Sequence, residues 1–273
     1  MHCIANCIPK LFQLTAEELA QAEIIGRDVG YYRATGRPPM DITQVLQALF
    51  YLVRTGMQWC ALPRCFGASS TIHAAFQRLR DIGFFDNFHL EGLDQYDHMI
   101  GIDKHKRIGD CCHVKSPLGD DGVGPSPVDR KKQGTKRSMI TDGNGIVLGC
   151  VVGAGNRNDA KLFEQTVQSI PAQFQSNGGQ ECWLDAIYDT REVRTICFKY
   201  GLKPRISPHP RRKRVEPVRP LAKGTRWVVE RSHSWINRFR RLFIRFDKLV
   251  DNYLALIKFA LAIGVFRRSR VSG

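Results

Sequence analysis

The chain has 273 residues, 43% of them hydrophobic, with 41 Lys and Arg against 26 Asp and Glu for a formal net charge of +15. That length suits one or two domains with a sizeable core, and the charge points to a polyanionic partner, nucleic acid before membrane. Nine cysteines, an odd number without a secretory leader, argue against a disulfide framework, and no run is apolar and long enough to span a bilayer, so a soluble cytoplasmic protein is expected.

Cys3/Cys7 and Cys60/Cys65 are spaced loosely like zinc ligands, but no second pair follows at a finger-like distance, so zinc is not expected. Thr15-Ala-Glu-Glu18 is a capping-box pattern that opens a helix towards Ile25. Gly36-Arg-Pro-Pro39 breaks it. Asp41 then caps a helix carrying Val45, Leu46, Leu49, Phe50 and Leu52, which ends at Arg54-Thr-Gly56. A third helix starts at Ser69-Ser-Thr71, runs through Leu79 and stops at Gly83. Three short helices with arginines (Arg78, Arg80) on the third read equally as a helix-turn-helix DNA-docking domain or as an ordinary packing module. The polar stretch 87–105 reads as a linker or weak helix. The expected organisation is a helical domain over 1–86, that linker, and a second domain over 106–273.

From Lys106 the pattern changes to strands. Lys106 to Lys115 reads as a strand with Asp110 inside it, and 118–127 as loop. Lys136 to Thr141 and Ile146 to Val152 read as strands joined by the hairpin turn Asp142-Gly-Asn-Gly145. Asn158-Asp159 caps a helix from Ala160 to Ile170. Glu181 to Leu184 is a short apolar strand that runs into Asp185, followed by a helix over 190–200 ending at Gly201. Pro204 to Pro220, with Arg211, Arg212, Lys213 and Arg214 at its centre, reads as an exposed basic loop. Arg226 to Leu242 reads as one amphipathic helix, with Val228, Trp235, Phe239 and Leu242 on its apolar stripe. Arg226, Glu230, His233, Asn237 and Arg241 form a second stripe. A helix from about Asn252 to Phe266 closes the chain.

The second half is therefore an α/β domain with an antiparallel hairpin at one side of its sheet. Ligands of open sheets gather at the carboxyl ends of strands. If the strands of Asp110 and Asp185 are neighbours, their carboxylates approach each other there and repel unless a cation sits between them. Oxygen ligands select Mg²⁺ or Mn²⁺, and a pair of such ions suits in-line phosphoryl transfer on nucleic acid. Each acid also has a plainer reading. Asp110 can belong to a turn after Gly109, Asp185 can cap the next helix, and Glu230 can be the i,i+4 partner of Arg226.

Five sequence blocks add a family resemblance. Gly36-Arg-Pro-Pro39, Arg54-Thr-Gly56 with Gln58-Trp59, and Leu62-Pro63 form the first. Lys115-Ser-Pro-Leu-Gly119, Gly124-Pro-Ser-Pro127 with Asp129-Arg130, and Gly134-Thr-Lys-Arg137 form the second. Gly155-Asn-Arg with Asp159, then Asp185 with Tyr188-Asp189, then Arg226-Trp-Val-Val-Glu-Arg231 with Asn237-Arg-Phe-Arg-Arg-Leu242, complete the set. In this order the chain resembles DDE transposases of bacterial insertion sequences, of the IS-five group, over nearly its whole length. The resemblance implies a catalytic domain over 106–273 with an RNase H-like mixed sheet flanked by helices, preceded by a helical DNA-end-binding domain over 1–86. It implies Asp110, Asp185 and Glu230 as metal-binding acids, holding Mg²⁺ or Mn²⁺ as two ions, with Asp142 only a hairpin residue. Arg226 and Asn237 fall on the family's polar positions around the glutamate, which the resemblance implies contact DNA ends. Ile187, Lys223, Asn237 and Cys111-Cys112 depart from the family's usual choices.

The function implied is binding of terminal inverted repeats in double-stranded DNA, metal-dependent strand cleavage and strand transfer, by a homodimer assembled on DNA. Arg130, Lys131, Lys132, Lys136, Arg137, Arg211 to Arg214, Arg238, Arg240 and Arg241 would grip phosphates. The alternatives are a DNA-binding relic without cleavage and an RNase H-like nuclease.

Overall fold

The computed structural model describes residues 8–32, 35–36, 38–208 and 227–271. Within them the helices are α1 (Ala16–Asp28), α2 (Ile42–Thr55), α3 (Ser69–Asp81), α4 (Phe84–Met99), α5 (Asp159–Gln168), α6 (Arg191–Lys199), α7 (Trp227–Ile236), α8 (Arg240–Phe243) and α9 (Val250–Val271). The strands are β1 (Lys106–Lys115), β2 (Gly124–Pro125), β3 (Gln133–Asp142), β4 (Val147–Ala154), β5 (Gln180–Leu184) and β6 (Leu202–Ile206). None of the described helices is long and apolar enough to cross a membrane. The chain divides into two compact units, Met1–Met99 with Ile236–Ile244 and Asp251–Gly273, and Ile100–Trp235 with Arg245–Val250.

The first unit is helical. Thr15 and Glu18 form the expected reciprocal capping box at the start of α1. The Asp41 side chain accepts the Thr43 N–H, and α2 ends at Gly56 in the left-handed conformation with φ 75°. Ten of the fourteen residues of α2 are buried, so it lies at the centre of this unit. α4 buries Phe84, Phe85, Phe88, Leu93 and Tyr96 at helical spacing. Phe85 and Phe88 meet Phe259 of α9 at ring-centroid distances of 5.9 and 6.2 Å, and Phe88 meets Phe266 at 5.1 Å. The Glu18 carboxylate is fully buried and takes the Arg267 Nε–H at 2.9 Å, which ties α1 to α9.

The second unit is built on one mixed sheet. Its strands run in the order β4-β3-β1-β5-β6, with the two-residue β2 also against β3. β3 is antiparallel to both β1 and β4, while β1, β5 and β6 run parallel. Leaving out β2, the spatial order is 3-2-1-4-5, with α5 joining the antiparallel part to β5 and α6 joining β5 to β6. This is the RNase H-like arrangement. Asp142 is the expected hairpin residue: its buried carboxylate accepts N–H bonds from Asn144, Ile146 and Asp103.

Of the two readings of 87–105, linker or weak helix, the structure has the helix, since α4 runs through it to Met99. The structure differs from the sequence expectation in three places. The last helix packs with the first unit, so a catalytic domain running unbroken from 106 to 273 is not what the contacts define. β6 occupies Leu202–Ile206 and overlaps the start of the loop expected from Pro204. Its Pro204 is tolerated because no further strand pairs with its outer edge among the described residues. The helix expected from Arg226 to Leu242 breaks after Ile236, where Phe239 N–H turns back to the Ile236 carbonyl, and resumes at Arg240.

Candidate functional site

Two strands and one helix position the three acids. Asp110 sits in the middle of β1, half-buried. Asp185 follows the last residue of β5 and caps the short turn Ala186–Tyr188, its Oδ1 accepting the Ile187 N–H at 2.9 Å. β1 and β5 pair in parallel with Ile108 opposite Trp183. Two residues further along that register, Asp110 stands level with Asp185. Neighbouring strands lie about 4.8 Å apart and side chains alternate between faces, so Ile108, Asp110, Trp183 and Asp185 share one face.

α7 covers that face. Val228 and Val229 pack on Ile108, with Trp183 against the same cluster. The Ser232 hydroxyl donates to the Gly145 carbonyl at 2.8 Å and Arg231 donates to the Asn144 carbonyl at 2.7 Å, docking the helix on the β3–β4 turn. Val228, Val229, Ser232, His233 and Ile236 form its buried stripe. At 100° per residue, Glu230 falls on the other side of this stripe from Arg231, next to His233, and it is exposed. His233 is internal: the Arg137 guanidinium on β3 donates to its Nδ1 at 3.4 Å and to its carbonyl at 3.4 Å. Burial, then Arg137, pushes the imidazole down to about 3, against a smaller opposing effect of the Asp110 backbone, so the ring is neutral.

The structure thus sets the two aspartates level on adjacent strands beneath the helix that carries the glutamate. It does not close them into one ligand group: among the described residues no three His, Cys, Asp or Glu side chains stand where they could hold a metal ion. The donor chemistry is nevertheless that of a hard cation, since carboxylate oxygens suit Mg²⁺ or Mn²⁺ and not zinc. Ile187, the bulky departure beside Asp185, is 45% exposed. Cys111 lies on the opposite face from Asp110, where its sulfur accepts the Tyr188 hydroxyl at 3.3 Å. Burial, reinforced by Asp159, pushes its thiol up to about 12, so it is a packing residue and not a nucleophile.

The expected phosphate-gripping residues divide sharply. Arg130, Lys131, Lys132, Arg238 and Arg240 are exposed, and Asn237 is half-buried. Lys136, Arg137 and Arg241 are instead used inside the fold, which corrects the expectation for them. Lys136 is paired with Asp159 in a nearly dry site. Arg137 is fully buried against His233. Arg241 is 4% exposed, donates to the Met57 carbonyl at 2.9 Å and lies over the Trp59 ring. On α3, Arg78 donates to the Tyr31 carbonyl and Arg80 to Asp81, so the basic side of the expected DNA-docking helix is engaged within its own unit. Arg211, Arg212, Lys213, Arg214, Lys223 and Arg226 lie outside the described residues, as do Cys3 and Cys7.

One feature has no sequence signal. Arg130 and Lys131 have φ of 49° and 62°, the only non-glycine residues with positive φ among those described. The left-handed region disfavours L-residues by roughly 1–2 kcal/mol each. Nothing in Asp129-Arg-Lys-Lys132 announces such a turn.

Comparison with known proteins gives the family. Residues 20–89 match a family described as a candidate transposase of the IS4/5 family, and residues 113–264 match the family "Transposase DDE domain". A candidate transposase for insertion sequence element IS402 from Burkholderia cepacia is 33% identical over 145 residues, which cover 51% of this chain and 66% of that protein, just under two thirds of its length. Two solved structures align more loosely. The cryo-EM structure of the piggyBac transposase synaptic complex with hairpin DNA has a TM-score of 0.44 and 11% identity, covering 96% of this chain and 74% of its own. The Mos1 transposase paired-end complex with the left transposon end has a TM-score of 0.28 and 15% identity, covering 88% and 81%. With residues 113–264, more than half of its length, inside one family model, the chain belongs to the family of the transposase DDE domain.

Proposed function

We propose that this protein is a transposase that binds the terminal inverted repeats of an insertion sequence and catalyses metal-dependent DNA cleavage followed by strand transfer. The observation that carries the reading is the shared level of Asp110 and Asp185 on parallel β1 and β5, under α7 with Glu230, in a member of this family. Asp110, Asp185 and Glu230 would hold Mg²⁺ or Mn²⁺, as two ions. Such ions, when bound, stabilise charge on the attacking and leaving oxygens of an in-line displacement at phosphorus.

The chain's own residues supply positioning. The Ile187 N–H fixes one oxygen of Asp185. Ser232 and Arg231 hold α7 on the β3–β4 turn, and with it the backbone that carries Glu230. Exposed Arg130, Lys131, Lys132, Arg238 and Arg240, with half-buried Asn237, would contact DNA phosphates, and Arg226 and Arg211 to Arg214 belong to the same reading. Two element ends must be brought together, so a homodimer is expected on DNA, in the cytoplasm at the nucleoid.

The test is Mg²⁺-dependent cleavage of a duplex bearing the inverted ends that flank the coding region, by the parent protein, Asp185→Asn and Glu230→Gln. Cutting by the parent alone supports the reading. Binding without cutting by all three, the behaviour of a relic whose acids do not close into a ligand group, refutes the catalytic part. Equal cutting by all three removes these acids from the chemistry.

A further inference from the structure

The turn between β2 and β3 contradicts its own sequence. Lys132 donates its N–H to the Asp129 carbonyl at 2.9 Å, so Arg130 and Lys131 are the two central residues of a tight turn. The Ser126 N–H closes the loop on the Lys132 carbonyl at 2.8 Å. Positive φ at both central positions is the primed hairpin geometry, which Asn-Gly or Asp-Gly normally supplies. The β3–β4 hairpin of the same chain follows the usual chemistry and places its left-handed residue at Gly145, with φ 86°. The β2–β3 turn carries two long cations instead, both exposed, followed by exposed Lys132. Lys115 at the end of β1 pairs with Asp129 at 3.6 Å and braces the base.

Strain kept against local preference marks places where a fold is used, and a rigid cationic tip suits a polyanion. The sheet sets its reach. Lys115 is paired with Gly134 at the foot of the turn, five residues along β1 from Asp110. At about 3.4 Å per residue this is about 17 Å. A duplex rises about 3.4 Å per base pair along its axis, so DNA laid along β1 passes the foot of the turn about five base pairs from a phosphate at the acids, and its tip, three residues beyond Gly134 at Lys131, up to about eight.

We propose that the Arg130–Lys131 turn is a preset phosphate clamp that grips duplex DNA about five to eight base pairs from the bond being cut. The proposal rests on the transposase reading and adds to it a contact whose geometry is fixed before DNA arrives.

The test replaces Arg130→Asn together with Lys131→Gly, which gives the backbone its preferred residues while removing both charges. Binding to a mixed-sequence duplex of about 30 base pairs is followed by fluorescence anisotropy against salt, alongside thermal unfolding. The clamp requires the log–log salt slope to fall by about 1.8, from about 0.9 per lost contact, with a Tm equal to or above the parent's. Arg130→Lys with Lys131→Arg should keep the slope. On an element end, neutral methylphosphonate linkages about five to eight positions from the cut should weaken the parent and leave the Asn-Gly variant unchanged. An unchanged slope beside normal parent binding overturns the clamp and leaves the transposase reading standing. A lowered Tm in the Asn-Gly variant assigns the turn to folding and also overturns it. Parent binding without any salt dependence overturns the transposase reading and the clamp together.

Discussion

Gly155 directly follows β4, beside the paired β2 and β3. A Cβ built there would lie 2.7 Å from the Gly134 carbonyl oxygen, 2.8 Å from its carbon and 3.0 Å from the Gly124 oxygen. All three are backbone atoms, which cannot swing aside as a side chain can, and Gly155 also donates its N–H to Gly134 at 3.0 Å. Gly155→Ala is therefore expected to cost about 1–3 kcal/mol by overpacking, read as a lower urea midpoint with unchanged slope. The sequence marks Gly155 as a family position but not this reason for it. The same limit explains the basic residues. Lys136, Arg137 and Arg241 look like Arg130 and Lys132 in the sequence, because charge is written there and burial is not. The acids are more legible, since Asp110 and Asp185 each stand in or beside a recognisable strand. Their equal height depends on β1 and β5 being neighbours, which only the sheet order supplies.

α7 is the element on which the site depends. Val229 is fully buried against Ile108 and adjoins Glu230 in the chain. Val229→Ala should cost about 1–3 kcal/mol in stability through lost burial and a residual cavity. Because that contact seats the helix on the sheet, Mg²⁺-dependent cleavage should fall in this variant under conditions where it remains folded, while duplex affinity changes by less than a factor of about two. Equal losses of cleavage and affinity would mean that α7 serves DNA binding and not the positioning of Glu230. Elements with local punctuation are legible in the amino-acid pattern alone: the Thr15–Glu18 box, the Asp41 cap, Gly56 and the Asp142–Gly145 turn all stand as expected. β6 is hidden by Pro204 and by its charged outward residues, although Leu202 and Ile206 keep the alternation. The break after Ile236 has neither Gly nor Pro to announce it. α4 is hidden because its aromatic stripe is interleaved with acidic and polar residues.

At the scale of the whole molecule, the first unit is discontinuous in sequence. Its core takes Phe259 and Phe266 from the last helix against Phe85 and Phe88, and it places Arg267 on the buried Glu18, 249 residues away. No periodicity signal spans such a separation, because hydrophobic patterning reports a face and not its partner. The consequence is testable by dissection. Residues 1–99 alone keep the four long helices but lose the surface that covers α4. They also leave the Glu18 carboxylate buried without its arginine, a cost that unpaired internal charge makes large. This fragment should show helical circular dichroism without a cooperative urea transition and should bind a hydrophobic dye, the behaviour of a collapsed chain with loose packing. Adding a peptide of residues 250–271 should restore cooperativity, and the same peptide with Phe259→Ala and Phe266→Ala should not. Because only the peptide supplies these two rings and Arg267, its rescue would separate a missing core wall from a generally unstable fragment. A cooperative transition in the fragment by itself would show that the four helices suffice as a domain, and that α9 only decorates it.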